Sequence, residues 1–114
     1  MRFKSVAAVI GMVLAMTAMS VAPATAGEFA QKHPRRAQVN SRERRQQGRI
    51  AQGAKSGSLS PQEAAKLERQ EAGIKRQERA EVRANGGYLT KRQQRQLNGE
   101  LNQTSREIYQ DKHN

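Results

Sequence analysis

The side chains that most often carry out chemistry in proteins are few in this chain and lie far apart. Its 114 residues include two histidines, His33 and His113, and no cysteine. A zinc site needs three or four converging nitrogen, sulfur or oxygen ligands, and neither histidine has partners at such a spacing. The sequence also lacks a Ser-His-acid order, a glycine-rich phosphate loop and a carboxylate pair in an apolar setting. It therefore predicts a protein that is not an enzyme and that uses no cofactor.

The turn from Gln52 to Glu63 resembles the loop of an EF-hand calcium site. Gly57 stands at the sharp-turn position, Leu59 at the apolar position and Glu63 at the closing position. Calcium loops carry Asp or Asn at positions one, three and five, and this turn has other residues there. Glu63 is therefore a weak candidate metal ligand, and we expect weak or no cation binding. The three residues in place of the usual ligands are Gln52, Ala54 and Ser56.

The N-terminus has the three parts of a secretory signal peptide. Two basic residues precede an apolar run from Val6 to Val21, and the small-residue triplet Ala24-Thr25-Ala26 follows. A transmembrane helix needs about 20 apolar residues, which is more than this run provides. We expect residues 1–26 to be removed by cleavage after Ala26. This prediction places the mature protein in the periplasm or outside the cell, with no integral membrane segment.

The mature chain is strongly basic. Residues 27–114 carry 19 Lys and Arg against 10 Asp and Glu, a net charge of +9. Such a charge favours an acidic partner, which for an exported protein means an unfolded or acidic protein, or an anionic envelope surface. No aromatic residues alternate with the basic ones to stack on bases, so nucleic acid is disfavoured. The large apolar residues are few, and a homodimer is one way to bury more surface.

Capping signals divide the mature chain into an all-α, three-helix arrangement of helix, cap turn, helix, cap turn, helix over residues 39–114. Residues 27–38 lack apolar periodicity and are expected to form a flexible, disordered basic arm. The first helix is predicted from Asn40 to Lys55. The second follows the capping box at Ser60–Glu63 and runs to Ala84. The third begins after Thr90, with Gln93 at the capping-box position.

Positions around the two turns correspond at an interval of 30 residues. The repeated unit is helix, glycine turn, leucine, Ser or Thr cap, helix. Units of this kind bury surface by stacking on their neighbours, so we expect the two halves to pack together. The corresponding positions are Arg49 and Arg79, Gly57 and Gly87, Leu59 and Leu89, Ser60 and Thr90, and Leu67 and Leu97.

The segment Leu89-Thr90-Lys91-Arg92-Gln93 resembles the LTxxQ signature of the Spy/CpxP family of small periplasmic stress proteins. The segment from Leu59 to Glu63 is a weaker match. This resemblance implies ATP-independent holding of unfolded client proteins on a basic, partly apolar helical surface, often in a dimer. The paired G-x-L-[ST] turns and the tail from Tyr109 to Asn114 also resemble small exported bacterial proteins, for which the resemblance implies no function.

The leading hypothesis is an exported, non-enzymatic helical binding protein, similar to the Spy/CpxP stress proteins. The alternatives are a degenerate EF-hand-like structural module and a binder of an anionic envelope surface. Apolar contact with a partner is assigned to one face of the third helix, and electrostatic steering to arginines of the first helix. The apolar candidates are Leu97, Leu101 and Ile108, and the basic candidates are Arg42, Arg45 and Arg49.

Overall fold

The structure, a computed structural model, describes residues 22–114, with side chains from Gly27 onward. Helices α2, α3 and α4 each pack against the other two, and α1 packs against α2. The predicted all-α fold and its order of helix, cap turn, helix, cap turn, helix are confirmed. The helices are α1 (Ala22–Lys32), α2 (Pro34–Ser56), α3 (Pro61–Ala84) and α4 (Lys91–Lys112).

The predicted signal peptide falls mostly on residues 1–21, which lie outside the described residues. Its cleavage point after Ala26 falls within α1 and stays a prediction. From Ala22 to Asn114, none of the helices combines the length and the apolar character that crossing a bilayer requires.

The turns between α2 and α3 and between α3 and α4 share a glycine with positive φ, a buried leucine and a capping box, although the second turn is two residues longer. Gly57 and Gly87 adopt φ values of 85° and 104°, which residues with a Cβ rarely adopt. Each glycine is followed two residues later by a leucine that is 2% exposed. The Ser60 hydroxyl accepts from the Glu63 amide at 3.1 Å, and the Glu63 carboxylate accepts from the Ser60 amide at 2.8 Å.

The second capping box has the same reciprocal bonds. The Thr90 hydroxyl accepts from the Gln93 amide at 3.1 Å, and the Gln93 side-chain oxygen accepts from the Thr90 amide at 2.9 Å. The predicted starts of α3 and α4 are therefore confirmed, because a capping box is a local device that needs only four consecutive residues.

The buried apolar residues form two separate clusters. Both clusters contain side chains from α2, α3 and α4 together with the leucine of one turn, so each cluster holds all three long helices together. The first cluster comprises Val39, Ile74, Leu89, Leu97 and Leu101, with Val82 packed against it. The second comprises Ile50, Leu59, Leu67 and Ile108, with Ala64 packed against it.

Residues 27–38 do not form the flexible arm that the sequence predicts, because they are helical and lie against the turn between α3 and α4. The Arg35 side chain donates to the Leu89 carbonyl at 2.6 Å, and Arg36 donates to the Gly87 carbonyl at 3.0 Å. The His33 ring lies 4.7 Å from the Tyr88 ring. These contacts satisfy carbonyl groups of a distant turn, so the apolar periodicity of the segment itself gives no sign of them.

Helix α2 also begins earlier than predicted. Pro34 occupies its first turn, a position where the missing amide proton costs nothing. Asn40, where the helix was predicted to begin, therefore lies inside the helix, and its side-chain oxygen accepts from Lys75 at 3.1 Å.

Gly53 lets α2 lie close to the turn between α2 and α3, because glycine has no Cβ. A Cβ at this position would lie 2.6 Å from Leu59 Cδ1 and 2.8 Å from Lys112 Cε. Gly53→Ala is therefore expected to lower the free energy of unfolding by about 1–3 kcal/mol, because the buried leucine must move. Urea unfolding followed by circular dichroism measures this change.

Gly48 provides the matched control on the same helix. A Cβ there meets no atom within 4 Å, so Gly48→Ala is expected to raise the free energy of unfolding by about 0.5–1 kcal/mol through helix propensity alone. Equal effects of the two substitutions would contradict the close packing of Gly53 against Leu59.

Candidate functional site

The three leucine and isoleucine side chains assigned to partner contact are in the core. Leu97, Leu101 and Ile108 are all 0% exposed, and they are divided between the two apolar clusters. Their assignment as a client-binding surface is therefore wrong for the folded chain. Helical spacing identified the apolar face of α4 correctly, but it gave no sign that α2 and α3 cover that face.

Two of the three predicted steering arginines join helices. Arg42 donates to the Asn98 side-chain oxygen at 3.1 Å, and Arg49 donates to the Ser105 hydroxyl at 2.8 Å. Both bonds connect α2 to α4, and both arginines are only half-exposed. Arg45 is exposed and donates to Ser41 on its own helix at 2.8 Å. Only Arg45 therefore remains fully available to steer a partner.

The exposed charge on residues 27–114 is far more basic than the composition indicates. Of the ten acidic residues in this range, only Glu28 and Glu68 are exposed, whereas 13 of the 19 basic residues are exposed. The exposed basic residues belong to α1 and to all three long helices. They are Lys32, Arg44, Arg45, Lys55, Lys66, Arg69, Arg76, Arg79, Arg83, Lys91, Arg92, Arg95 and Arg106.

A layer of polar side chains separates the two apolar clusters, and we call it the polar layer. Its members lie between residues of the two clusters along α2, α3 and α4, except Glu78, which lies between two residues of the first cluster. Gln46 donates to the Leu101 carbonyl at 2.7 Å, which ties the layer to α4. The polar layer comprises Glu43, Gln46, Glu71, Glu78 and Thr104, each at most 6% exposed.

Lys75 neutralises part of the polar layer. Its ammonium group donates to Glu43 at 3.0 Å, to Asn40 at 3.1 Å and to Glu78 at 3.3 Å. These three bonds use all three protons of the ammonium group. Glu71 therefore receives no hydrogen bond from Lys75, although the two residues are four positions apart on α3. The ion pair that is common between residues at this spacing on a helix is not formed here.

Burial raises the pKa of Glu43 from 4.5 to about 7; the hydrogen bond from Lys75 opposes this rise, and the charge of Glu78 adds to it. Burial also raises the pKa of Glu71 from 4.5 to about 7. The charges of Glu43 and Glu68 add to that rise, and Arg42 opposes it. Two carboxyl groups with such values exchange protons near neutral pH, because burial penalises their charged forms.

A groove of about 580 Å³ lies between α2 and α3 beside the polar layer. We call it the α2–α3 groove. It is close to the size of pockets that bind small molecules, and it brings buried carboxylates next to solvent. Its lining residues are Asn40, Glu43, Arg44, Gln47, Glu68, Glu71, Ala72 and Lys75.

The three buried glutamates Glu43, Glu71 and Glu78 were not singled out from the sequence, because carboxylates among basic residues are normally solvated. One signal in the sequence points to their burial. Glu71 and Glu78 interrupt the apolar face of α3, and they lie 30 residues before Leu101 and Ile108. The repeat therefore places two glutamates at positions that are fully buried in α4.

The carboxylate of Glu63, the weak candidate metal ligand, is engaged in the first capping box. The residues at positions one, three and five of the EF-hand-like turn, from Gln52 to Ser56, belong to α2. Across residues 22–114, no three His, Cys, Asp or Glu side chains are grouped closely enough to hold a metal ion. The candidate functional features of residues 27–114 are therefore the polar layer, the α2–α3 groove and the basic exterior.

No protein-family model, no curated protein and no solved structure matches the chain.

Proposed function

We propose that this chain is an exported, non-enzymatic binding protein that holds acidic, flexible polypeptides on its basic exterior. The observation that carries the proposal is the separation of charge in the folded chain. Three of its glutamates are buried in the polar layer, whereas most of its basic side chains point outward. This arrangement attracts acidic partners more strongly than the net charge alone indicates.

The distribution of the basic residues favours a flexible partner. Exposed arginines occur on α2, α3 and α4, which surround a common core, so a flat surface cannot contact all of them at once. A flexible acidic chain can follow them around the bundle. An interfacial membrane helix also needs a bulky apolar face, and in the described part of the chain the exposed large apolar residues are Tyr88 and Tyr109.

Helix α3 offers the most regular basic row. Arg69, Arg76 and Arg83 are all exposed and follow one another at seven-residue intervals. Seven residues correspond to two helical turns, or about 10.5 Å. We call these three residues the α3 arginine row. The holding activity that the Spy/CpxP resemblance implies would then act through charge rather than through the buried leucines.

The proposal is tested by binding of fluorescent poly-glutamate to the purified protein, measured by anisotropy over a range of salt concentrations. Replacing the α3 arginine row with glutamines is expected to weaken binding about tenfold. This estimate takes roughly 0.5 kcal/mol for each exposed charge. Binding of the parent protein is expected to weaken as salt screens the charges.

The control variant carries Ala65→Gln and Ala80→Gln, which change two exposed neutral positions of the same helix and should leave binding unchanged. Salt-independent binding, or no binding at low salt, would refute the proposal. Anionic lipid vesicles that bind as tightly as poly-glutamate would instead favour the envelope-surface alternative.

A further inference from the structure

We propose that the α2–α3 groove is a binding site for a small aliphatic ammonium ion, held against the carboxylates of Glu43 and Glu71. This function is separate from polyanion binding, because it uses an acidic site inside a basic protein. The ligand class is a primary amine with a short carbon chain, such as an aliphatic diamine.

The first argument is the unpaired state of the buried carboxylates. Glu71 is 3% exposed and Glu43 is 6% exposed. Each has an Oε2 atom that is shielded from solvent and has no hydrogen-bond partner among residues 22–114. A buried polar atom without a partner costs free energy. Both glutamates line the groove, so a ligand that donates hydrogen bonds to their ionised carboxylates removes this cost, whereas an anionic ligand is repelled by them.

The second argument is that the ammonium group of Lys75 already binds to glutamates beside the groove. An ammonium group already bridges Glu43 and Glu78 across the two helices, at 3.0 and 3.3 Å. Its three protons are used, so it cannot also serve Glu71. A second ammonium ion entering the groove would give Glu71 the donor that Lys75 does not provide.

The third argument is the shape and charge of the groove. Its volume of about 580 Å³ is ample for a short diamine, and Ala72 gives its wall an apolar portion. Two further acidic residues lie nearby, Glu68 in the lining and Glu78 beyond Lys75. The positive charges of Arg42 and Arg44 oppose the binding of a cation. Arg42 acts directly on Glu71, whereas Arg44 is exposed, so solvent screens its charge.

Proton exchange should accompany binding. Both glutamates have pKa values raised to about 7, and an ammonium ion stabilises the ionised carboxylate, which lowers these pKa values. Binding is therefore expected to be tighter at pH 8 than at pH 6. The charged groups that face the two carboxylates come from α2 and α3: they are Arg42, Arg44, Glu68, Lys75 and Glu78. Helix α4 contributes no charged group to the polar layer, because its member there is Thr104.

The experiment is a titration of the full-length protein with 1,4-diaminobutane at pH 8, followed by the carboxyl ¹³C NMR signals of its glutamates. The Glu43 and Glu71 signals are expected to shift and saturate. Butane-1,4-diol, the neutral analogue of similar shape, should produce no shift. Glu71→Gln keeps the side-chain shape and removes the charge, and it should weaken diamine binding at least tenfold.

The control variant is Glu100→Gln, which makes the same charge change in the separate groove between α3 and α4 and should leave diamine binding unchanged. Undiminished binding by Glu71→Gln, or no saturable shift in the parent protein, would overturn the proposal. Added salt separates this site from polyanion binding. Diamine affinity should change much less with salt than poly-glutamate affinity, because the carboxylates of the groove are buried and the arginines that bind poly-glutamate are exposed.

Discussion

Leu97→Ala is expected to lower the free energy of unfolding by about 3 kcal/mol. Leu97 is fully buried in the first apolar cluster with Val39, Ile74 and Leu101, and removing its side chain leaves a cavity where all three long helices meet. Only nine large apolar side chains are buried in residues 27–114, so one truncation removes a substantial part of the core. Urea unfolding followed by circular dichroism gives the change directly.

Tyr109→Ala serves as the control for this truncation. Tyr109 is 59% exposed, so its loss should change the free energy of unfolding by less than about 0.5 kcal/mol. Measuring both stability and poly-glutamate binding of the Leu97→Ala variant also distinguishes a role of Leu97 in the core from a role in partner binding. A Leu97→Ala protein that is as stable as its parent but has lost poly-glutamate binding would show that Leu97 contacts the partner.

The features that the sequence predicted correctly are local ones. Both capping boxes lie within four consecutive residues, and the glycine of each turn has the positive φ that its position requires. The apolar spacing of α4 likewise identified its apolar face, because helical periodicity depends only on the helix itself, although the sequence assigned that face to a partner. These local signals determine where α3 and α4 begin and which face of α4 is apolar.

The features that the sequence did not predict depend on contacts between distant segments. Arg35 and Arg36 hold the start of α2 against carbonyls more than 50 residues away, so a basic segment without apolar periodicity becomes ordered. Glu43 is buried because Lys75 reaches it from another helix. A carboxylate among basic residues is normally solvated, and only the packing of α2 against α3 reverses that expectation here.

The polar layer and the basic exterior are two results of one arrangement. Placing three glutamates inside the bundle removes negative charge from the surface, and this increases the attraction for acidic partners. It also weakens the core, because buried carboxylates contribute less than the apolar residues that occupy the corresponding positions of α4. The chain therefore combines a marginal core with a strongly basic surface.

Glu71→Gln tests the energetic cost of this arrangement and is expected to stabilise the protein above neutral pH. The pKa of Glu71 is raised from 4.5 to about 7 by burial. Between these values the folded chain retains a proton that the unfolded chain releases. The free energy of unfolding therefore falls as pH rises from about 4.5 to 7 and levels off above that range. Glutamine cannot ionise, so the variant does not lose this stability, and it should be more stable than the parent protein by roughly 3 kcal/mol at pH 8.

Thermal unfolding of the parent protein and the variant between pH 3 and 8 measures this difference. The two melting temperatures should be close at pH 3, which is below both pKa values of Glu71, so that its carboxyl group is protonated in the folded and the unfolded chain, and they should diverge as pH rises. Glu43 also makes the free energy of unfolding fall as pH rises, because its pKa is raised in the same way, and the Glu71→Gln variant retains this contribution. Glu100→Gln makes the same chemical change on α4, outside the polar layer, and should reproduce the pH profile of the parent protein. A constant difference between Glu71→Gln and the parent at every pH would show that the substitution acts through shape rather than charge, and that the pKa of Glu71 is the same in the folded and the unfolded chain.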